Sequence, residues 1–361
     1  MNSKKFAHEA EHIVFVHPSL MGGGAERVSL ALASYFVAQG VRFTYLLTKS
    51  NVIEYNVPQG VEVCSEFASA SLKPLDQIKL IRRFISERPN AKVISFLPHQ
   101  NMYTLIATIG LPNRVVVSVR NDPRFDFPDN KILPFIRNML YRRSDAIVFQ
   151  TKCQASLMPR YLWVNSKVIL NPISSELPEP YSGPRRKAIV TSGRLEPQKN
   201  HSMTIRAFAH FHKKHPDYKL EIFGQGSLQS ELESLVQELD LGDSIKFMGF
   251  SSDALTHIRT ASAFVMSSRF EGLSNSMLEA LCMGVPTICT KCGGGGAEAV
   301  IQNDINGILV DIDDDIAEAS AFNTIVENQS YSDYLSNNAL TLRQSLALET
   351  IGNEWADLLF N

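Results

Sequence analysis

Two series of short apolar runs alternating with amphipathic stretches organise this chain of 361 residues, and a proline-rich passage separates them. The first series reads IVFVH, a helix from Ala25 to about Gln39, VRFTYLLT, a helix near Leu75 to Glu87, and KVISF. It continues with VVVSV (Val115 to Val119), a helix from about Pro134 to Arg143 with its proline in the first turn, and AIVFQ (Ala146 to Gln150). Apolar runs joined by helical crossings predict a parallel sheet of βαβ units. From Asn171 to Arg186 the text is NPISSELPEPYSGPRR, with four prolines and little periodicity, which reads as a domain crossing. Alternation then restarts with KAIVTS, a helix from about Ser202 to Lys214, KLEIFG, a helix near Leu228 to Leu239, SIKFMG, AFVMSS, a helix from about Ser276 to Met283, PTICT and GILV. The prediction is an α/β chain of two Rossmann-like domains, residues 1–176 and 177–361, since the length exceeds the roughly 100–200 residues of one ordinary domain. Ligands of such open sheets bind beyond the carboxyl ends of the strands, so the strand-to-helix loops are where chemistry is sought.

The hydrophobic share of 44% and charged share of 20% are those of a globular protein. No apolar run approaches the ~20 residues of a membrane-spanning helix, and MNSKKFAHEAEH lacks the apolar core of a signal peptide, so a cytoplasmic location is expected. Cys289 and Cys292 form a single CxxC pair without a second ligand pair, which favours reduced thiols over zinc or redox chemistry. Charge is divided unevenly. Residues 1–180 hold 21 Lys+Arg against 14 Asp+Glu, and residues 181–361 hold 14 against 23. A basic N-terminal half suits anionic headgroups or a phosphate-bearing acceptor, although ordinary solvated charge explains it equally well.

Three loops carry candidate chemistry. The first strand runs into PSLMGGGAERV, where Gly22, Gly23 and Gly24 open a helix and let backbone N–H groups approach an anion. A purely structural tight turn is the competing reading, and the passage is not the dinucleotide fingerprint. In the second domain KAIVTS leads into GRLEPQKN, placing Arg194 and Lys199 where two cations can stabilise a leaving diphosphate without a metal. After AFVMSS comes FEGLSNSMLEA. If its helix starts near Ser274, the N–H groups of Leu273 to Ser276 can meet a phosphate, Glu279 can accept both hydroxyls of a ribose, and Glu271 lies nearer the sugar.

Together these passages resemble family 4 of the retaining glycosyltransferases, which have the GT-B fold of two Rossmann-like domains facing a central cleft. The resemblance covers nearly the whole chain: GGGAERV, the linker after LNP, GRLEPQKN, FGQGSLQSELESL, FMGF, EGLSNSMLEA, GGGGAEAVI and NGILV follow the family's order. It implies that Arg194 and Lys199 contact the donor diphosphate, that Gly272, Leu273, Ser274 and Asn275 hold phosphate and sugar, and that Glu279 binds the donor ribose. Glu271 belongs at the reaction centre, and Met248 and Phe250 near the base. It also implies a nucleotide-sugar donor, UDP-linked by expectation, and a glycan acceptor linked to polyprenyl diphosphate, used for a surface polysaccharide such as lipopolysaccharide. No cofactor and no metal are expected, cleft closure would exclude water, and the last helix has room to cross back to the N-terminal domain.

One departure stands out. Where many members of that family place a histidine, this chain reads SVRNDPRF, with Arg120 in its place and Arg124 close behind. An arginine stays protonated, so it can hold an acceptor phosphate or sugar hydroxyl but serves poorly as a base. Asp311 and Asp313, within DIDDD, are read as helix-start residues rather than a metal motif. Lys79, Arg82, Arg83, Arg137, Arg142 and Arg143 lie on helices beside apolar residues and suit peripheral docking on an anionic membrane, or simple packing. Two rival functions stay open: a UDP-sugar 2-epimerase of related fold, and a non-catalytic homologue that only binds donor. Nucleic-acid binding has no motif to support it.

Overall fold

The structure, a computed structural model, describes residues 11–251 and 253–361. The opening MNSKKFAHEA, part of the segment read above for a signal peptide, lies outside the described residues. Two compact units form, one of Met1–Ser174 with Ala347–Asn361 and one of Ser175–Leu346.

The first unit holds strands β1 (His12–His17), β2 (Arg42–Leu47), β3 (Val61–Cys64), β4 (Lys92–Phe96), β5 (Val115–Val119), β6 (Ala146–Phe149) and β7 (Ser166–Val168). They pair in the order β3-β2-β1-β4-β5-β6-β7, every pair parallel. Phe15 sits opposite Tyr45 on one side and Ile94 on the other. The second unit holds β8 (Arg186–Ser192), β9 (Lys219–Phe223), β10 (Ile245–Gly249), β11 (Ala261–Met266), β12 (Thr287–Thr290) and β13 (Ile308–Val310), in the order β10-β9-β8-β11-β12-β13. These are also all parallel. Parallel strands need crossovers that cover both faces, which is why runs such as VVVSV are apolar but for one hydrogen-bonded serine and buried at every position.

Both sheets reverse their strand order beside their first strand, between β1 and β4 and between β8 and β11. At such a point the neighbouring connections depart to opposite faces of the sheet, leaving a crevice at the carboxyl ends of the strands. The loops after β1, β4 and β5, and those after β8, β11 and β12, are therefore the ones that can hold a ligand.

Part of the first unit's core comes from far along the chain. The helix Leu348–Phe360 places Trp355 with its ring centroid 5.8 Å from that of Phe96, and Phe360 with its centroid 6.2 Å from that of Phe36. Gly352 lies so close to Tyr35 that a Cβ there would fall 2.5 Å from its ring, and Tyr35 donates its hydroxyl to Asn353 Oδ1 at 2.7 Å. A fully buried tryptophan contributes about 3–5 kcal/mol relative to alanine, so this helix is a stabilising part of that core. The second unit centres on Phe208, Phe211, Ile222, Val265 and Phe322, with Phe211 and Phe322 edge to face at 5.7 Å.

Candidate functional site

In the second unit the loops after β8, β11 and β12 lock together through main chain. Arg269 N–H donates to Gln198 O (2.8 Å) and Glu271 N–H to Gly293 O (2.8 Å). The approach is so close at two glycines that no side chain fits. A Cβ on Gly296 would lie 1.6 Å from Gly272 O, and one on Gly224, whose φ is +136°, would lie 1.9 Å from Gly193 O.

That framework brings three polar side chains to one place. Lys199, at the end of the short helical turn Pro197–Lys199, donates from Nζ to Glu271 Oε1, and both side chains are largely buried. Gln198 Nε2 donates to the same carboxylate oxygen at 3.1 Å and to Phe270 O at 2.9 Å. Glu271 is thus aimed from two directions, beside the backbone of Gly272 and Leu273, both buried. A carboxylate and an ammonium at the carboxyl ends of β8 and β11 can receive a sugar hydroxyl and a phosphate oxygen respectively.

The helix Asn275–Cys282 follows, with Ser274 at its N-cap. The hydroxyl of Ser274 makes no capping bond. It lies 3.1 Å from that of Ser276, which donates to Ser192 O at 3.3 Å and ties the helix start to the end of β8. Glu279 projects from this helix and is buried. Arg194 is exposed and meets the cluster at its edge, through a long contact of 3.5 Å to Gln198 Oε1. At the end of β10, Met248 sits at a register shift and is half-buried, while Phe250 is 78% exposed, an uncovered ring on the same edge of the unit.

The first unit is furnished differently. None of Gly22, Gly23 and Gly24 has a positive φ, so their small size rather than their backbone freedom is what the loop uses. The Gly22 N–H donates to Glu54 Oε2 at 2.7 Å, and the Glu26 carboxylate packs where a Cβ of Gly23 would be. This loop already carries two carboxylates. Glu26 in turn lies 4.0 Å from His17 Nδ1, which donates to Ser19 O at 2.6 Å. Burial, with a smaller push from Arg120, lowers the His17 pKa to about 4 and keeps the ring neutral.

Arg120 extends from the end of β5 with its guanidinium 4.4 Å from the centroid of the Phe96 ring and one nitrogen 2.7 Å from Asn171 Oδ1. Burial draws its pKa down to about 9, Glu26 opposing the shift, so it keeps its charge at neutral pH. Arg124 is held separately, by Asp122 at 2.6 Å, with most of its length in solvent. The two arginines share a loop, one held by Asn171 and the other by Asp122.

The aspartates of the DIDDD run have structural partners. Asp311 pairs with Lys291 at 3.1 Å, and Asp313 accepts from Arg269 and from Asn200. Cys289 and Cys292 are buried, and burial pushes both thiols up, Cys292 to about 12. Among the described residues no three of His, Cys, Asp and Glu gather as a metal site. The sequence singles out none of Gln198, His17, Glu26 and Glu318. Gln198 was within its reach, sitting between Arg194 and Lys199 in one of the three candidate loops. Glu318 was not: it comes from the helix Asp315–Glu327, accepts from Ser267 at 2.5 Å, and burial raises its pKa to about 7.

Comparison with known proteins agrees with this architecture. Residues 177–341 match the family described as Glycosyl transferases group 1. The chain is 27% identical, over 96% of its length and 98% of the relative's, to the GalNAc-alpha-(1->4)-GalNAc-alpha-(1->3)-diNAcBac-PP-undecaprenol alpha-1,4-N-acetyl-D-galactosaminyltransferase of Campylobacter jejuni. Among solved structures, Anabaena HepE in complex with UDP and glucose superposes with a TM-score of 0.82 at 19% identity, covering 96% of this chain and 98% of that one. The lipopolysaccharide outer core galactosyltransferase WaaB superposes with a TM-score of 0.71 at 16% identity, covering 97% and 99%. These likenesses establish the GT-B fold, two parallel-sheet α/β domains.

Proposed function

We propose, from the match of residues 177–341 to the family described as Glycosyl transferases group 1, that the protein transfers a sugar from a UDP-linked donor to a lipid-linked glycan acceptor, with retention of anomeric configuration and without a metal. The observation that carries this reading is the buried Lys199–Glu271 pair at the strand reversal of the second unit, beside the helix that bears Glu279. In the proposed reaction the bond between the sugar C1 and the diphosphate oxygen breaks, and its electron pair goes to that oxygen. The acceptor hydroxyl forms the new C1–O bond on the same face and gives its proton to the departing phosphate. Lys199 and Arg194 neutralise the charge that gathers on the diphosphate, worth about 3–4 kcal/mol at one well-placed donor. Glu271 holds a hydroxyl of the transferred sugar, Glu279 the ribose, and Phe250 with Met248 the base. Arg120 and Arg124 receive the acceptor's phosphate or sugar.

Support for the acceptor class comes from the Campylobacter jejuni relative, whose own name contains an undecaprenol-linked diphosphate. Support for the donor nucleotide comes from HepE, a fold relative solved with UDP. The test incubates the full chain with UDP-hexoses and UDP-N-acetylhexosamines, each with and without a polyprenyl-diphosphate-linked sugar, and reads the product by NMR. A new α-linkage from an α-linked donor is expected. A β-linkage would refute retention, and an epimerised donor sugar formed without acceptor would replace transfer by epimerisation.

A further inference from the structure

The helix Leu133–Tyr141 is built inside out. Its inward face carries Arg137, buried against Asp126 at 2.5 Å and donating also to Pro123 O at 2.9 Å. Its outward face carries Ile132 (67% exposed), Phe135 (66%), Ile136 (38%) and Met139 (45%). Those positions fall at i, i+3, i+4 and i+7, so they form one stripe along the helix, the stripe that a soluble protein ordinarily turns to its core. Four adjacent large apolar side chains in water mark a surface that something else covers.

The surroundings say what that is. Between residues 127 and 143 the exposed charged side chains are Asp129, Lys131, Arg142 and Arg143, three cations against one anion, with the cations at the two ends of the stripe. Arg142 stands 5.5 Å from the ring centroid of Tyr161, which extends the patch to a turn where Tyr161 and Trp163 are exposed. Trp163 donates its indole N–H inward to Met158 O at 3.1 Å, leaving its ring outward. An apolar helix face framed by long cationic side chains and bordered by aromatic rings matches the boundary between acyl chains and anionic headgroups. We propose that this face docks on an anionic lipid bilayer, with Ile132, Phe135, Ile136 and Met139 entering the acyl boundary and Lys131, Arg142 and Arg143 meeting the headgroups.

The set differs from the one read in the sequence. Arg137 is committed to Asp126, and Arg82 donates to Ala107 O and Ile109 O at 2.8 Å, so neither is available to lipid. The same Arg137 joins the docking helix to Pro123, in the loop that runs from Arg120 to Arg124. Docking therefore fixes the height of those arginines above the headgroups. That last step rests on the lipid-linked acceptor proposed above, whereas the docking does not.

The experiment is flotation of the full chain with vesicles of phosphatidylglycerol mixed into phosphatidylcholine, against phosphatidylcholine alone. The wild type is expected to float with the anionic vesicles at least ~10-fold more than with the neutral ones, falling as salt is raised. Ile132→Ser combined with Phe135→Ser should cut flotation about 10-fold with an unchanged thermal midpoint, because both side chains are already in solvent. Arg142→Glu combined with Arg143→Glu should abolish the preference for anionic vesicles. Wild type that stays in the soluble fraction with anionic vesicles overturns the proposal, and so does a serine variant that floats as well as wild type. A dimer that the serine variant dissociates, without flotation of either, would assign the stripe to a second copy of the chain instead. Flotation needs no donor, acceptor or turnover, so a chain that docks but transfers nothing would refute the function alone.

Discussion

The two sheets share a strand order and a reversal beside the first strand, yet the loops at those two places are furnished in opposite ways. In the second unit backbone presses on backbone at Gly296 and Gly224, and the polar side chains Lys199, Gln198 and Glu271 converge on one point. In the first unit the glycine loop is already met by carboxylates, Glu54 on the Gly22 N–H and Glu26 over Gly23, and the cations Arg120 and Arg124 are drawn off to Asn171 and Asp122. One topology therefore supports two electrostatic designs. In the second unit an ammonium and a carboxylate stand together on a rigid frame, which suits a ligand that brings both phosphate and hydroxyls, such as a nucleotide sugar. In the first unit the cations are held apart, Arg120 by a neutral amide and Arg124 by its own carboxylate, so a ligand there competes with separate internal partners.

Five experiments would break or sharpen that contrast. Lys199→Ala should lower kcat/KM for transfer by roughly 10²–10³-fold, the loss expected for one fixed donor to developing charge, measured by steady-state product formation. A fully active variant would remove the second unit's claim to the diphosphate. Glu318→Gln tests whether that site stands on a protonated acid. Burial raises the Glu318 pKa to about 7, above its ordinary carboxylate value, so its contribution is full below pH ~4.5 and lost as pH rises through 7. The glutamine variant should therefore gain on wild type as pH rises from 5 to 8, by up to about 3 kcal/mol at one pKa unit per ~1.4 kcal/mol, read from thermal midpoints across that range. A constant difference between the two proteins would show the acid to be charged throughout.

Glu279→Ala should weaken donor binding by about 10–100-fold in calorimetry, the cost of losing charged hydrogen bonds to two hydroxyls. Equal weakening of acceptor binding would blur the division of labour. Arg120→Lys should reduce kcat/KM for acceptor by about 10-fold while leaving donor affinity alone, since an ammonium keeps the charge and loses the planar fork. A changed donor affinity would mean that the first unit is not specialised for acceptor. The smallest effect is expected from EDTA: the transfer rate should stay within error, and a loss restored by a divalent cation would hand the diphosphate to a metal.

Much of this contrast was hidden in the sequence for physical reasons. The inner strands of both sheets are legible because parallel strands buried on both faces are written as largely apolar runs, whereas β3 and β7, the half-buried edge strands of the first sheet, carry no such run and are missed. The helix Pro98–Ala107 was not legible, because its buried positions mix Gln100, Asn101 and Thr104 with Met102, Leu105 and Ala107: Asn101 donates to Ser118 O and to the Tyr141 hydroxyl, and polar residues in the core break the apolar periodicity. Ser274 was read as an N-cap from its type, and it does precede the helix, yet its hydroxyl turns to Ser276. Lys199 and Glu271 each stood out as loop residues, but their contact spans 72 positions and depends on the reversal between β8 and β11. The inward turn of Arg137 was likewise invisible, since Asp126 lies outside its helix.

The helix Leu348–Phe360 bears on how the chain assembles. Trp355 and Phe360 complete the apolar interior around Phe36 and Phe96, and the whole of Ser175–Leu346 separates them along the chain. During synthesis the amino-terminal sheet emerges before that helix, so the core around Tyr35, Phe36 and Phe96 can close only after all of Ser175–Leu346 has been made. The second unit is built from one continuous stretch, Ser175–Leu346, and waits for nothing beyond it. It can mature while its predecessor is still waiting, so the half of the molecule made first is the half completed last.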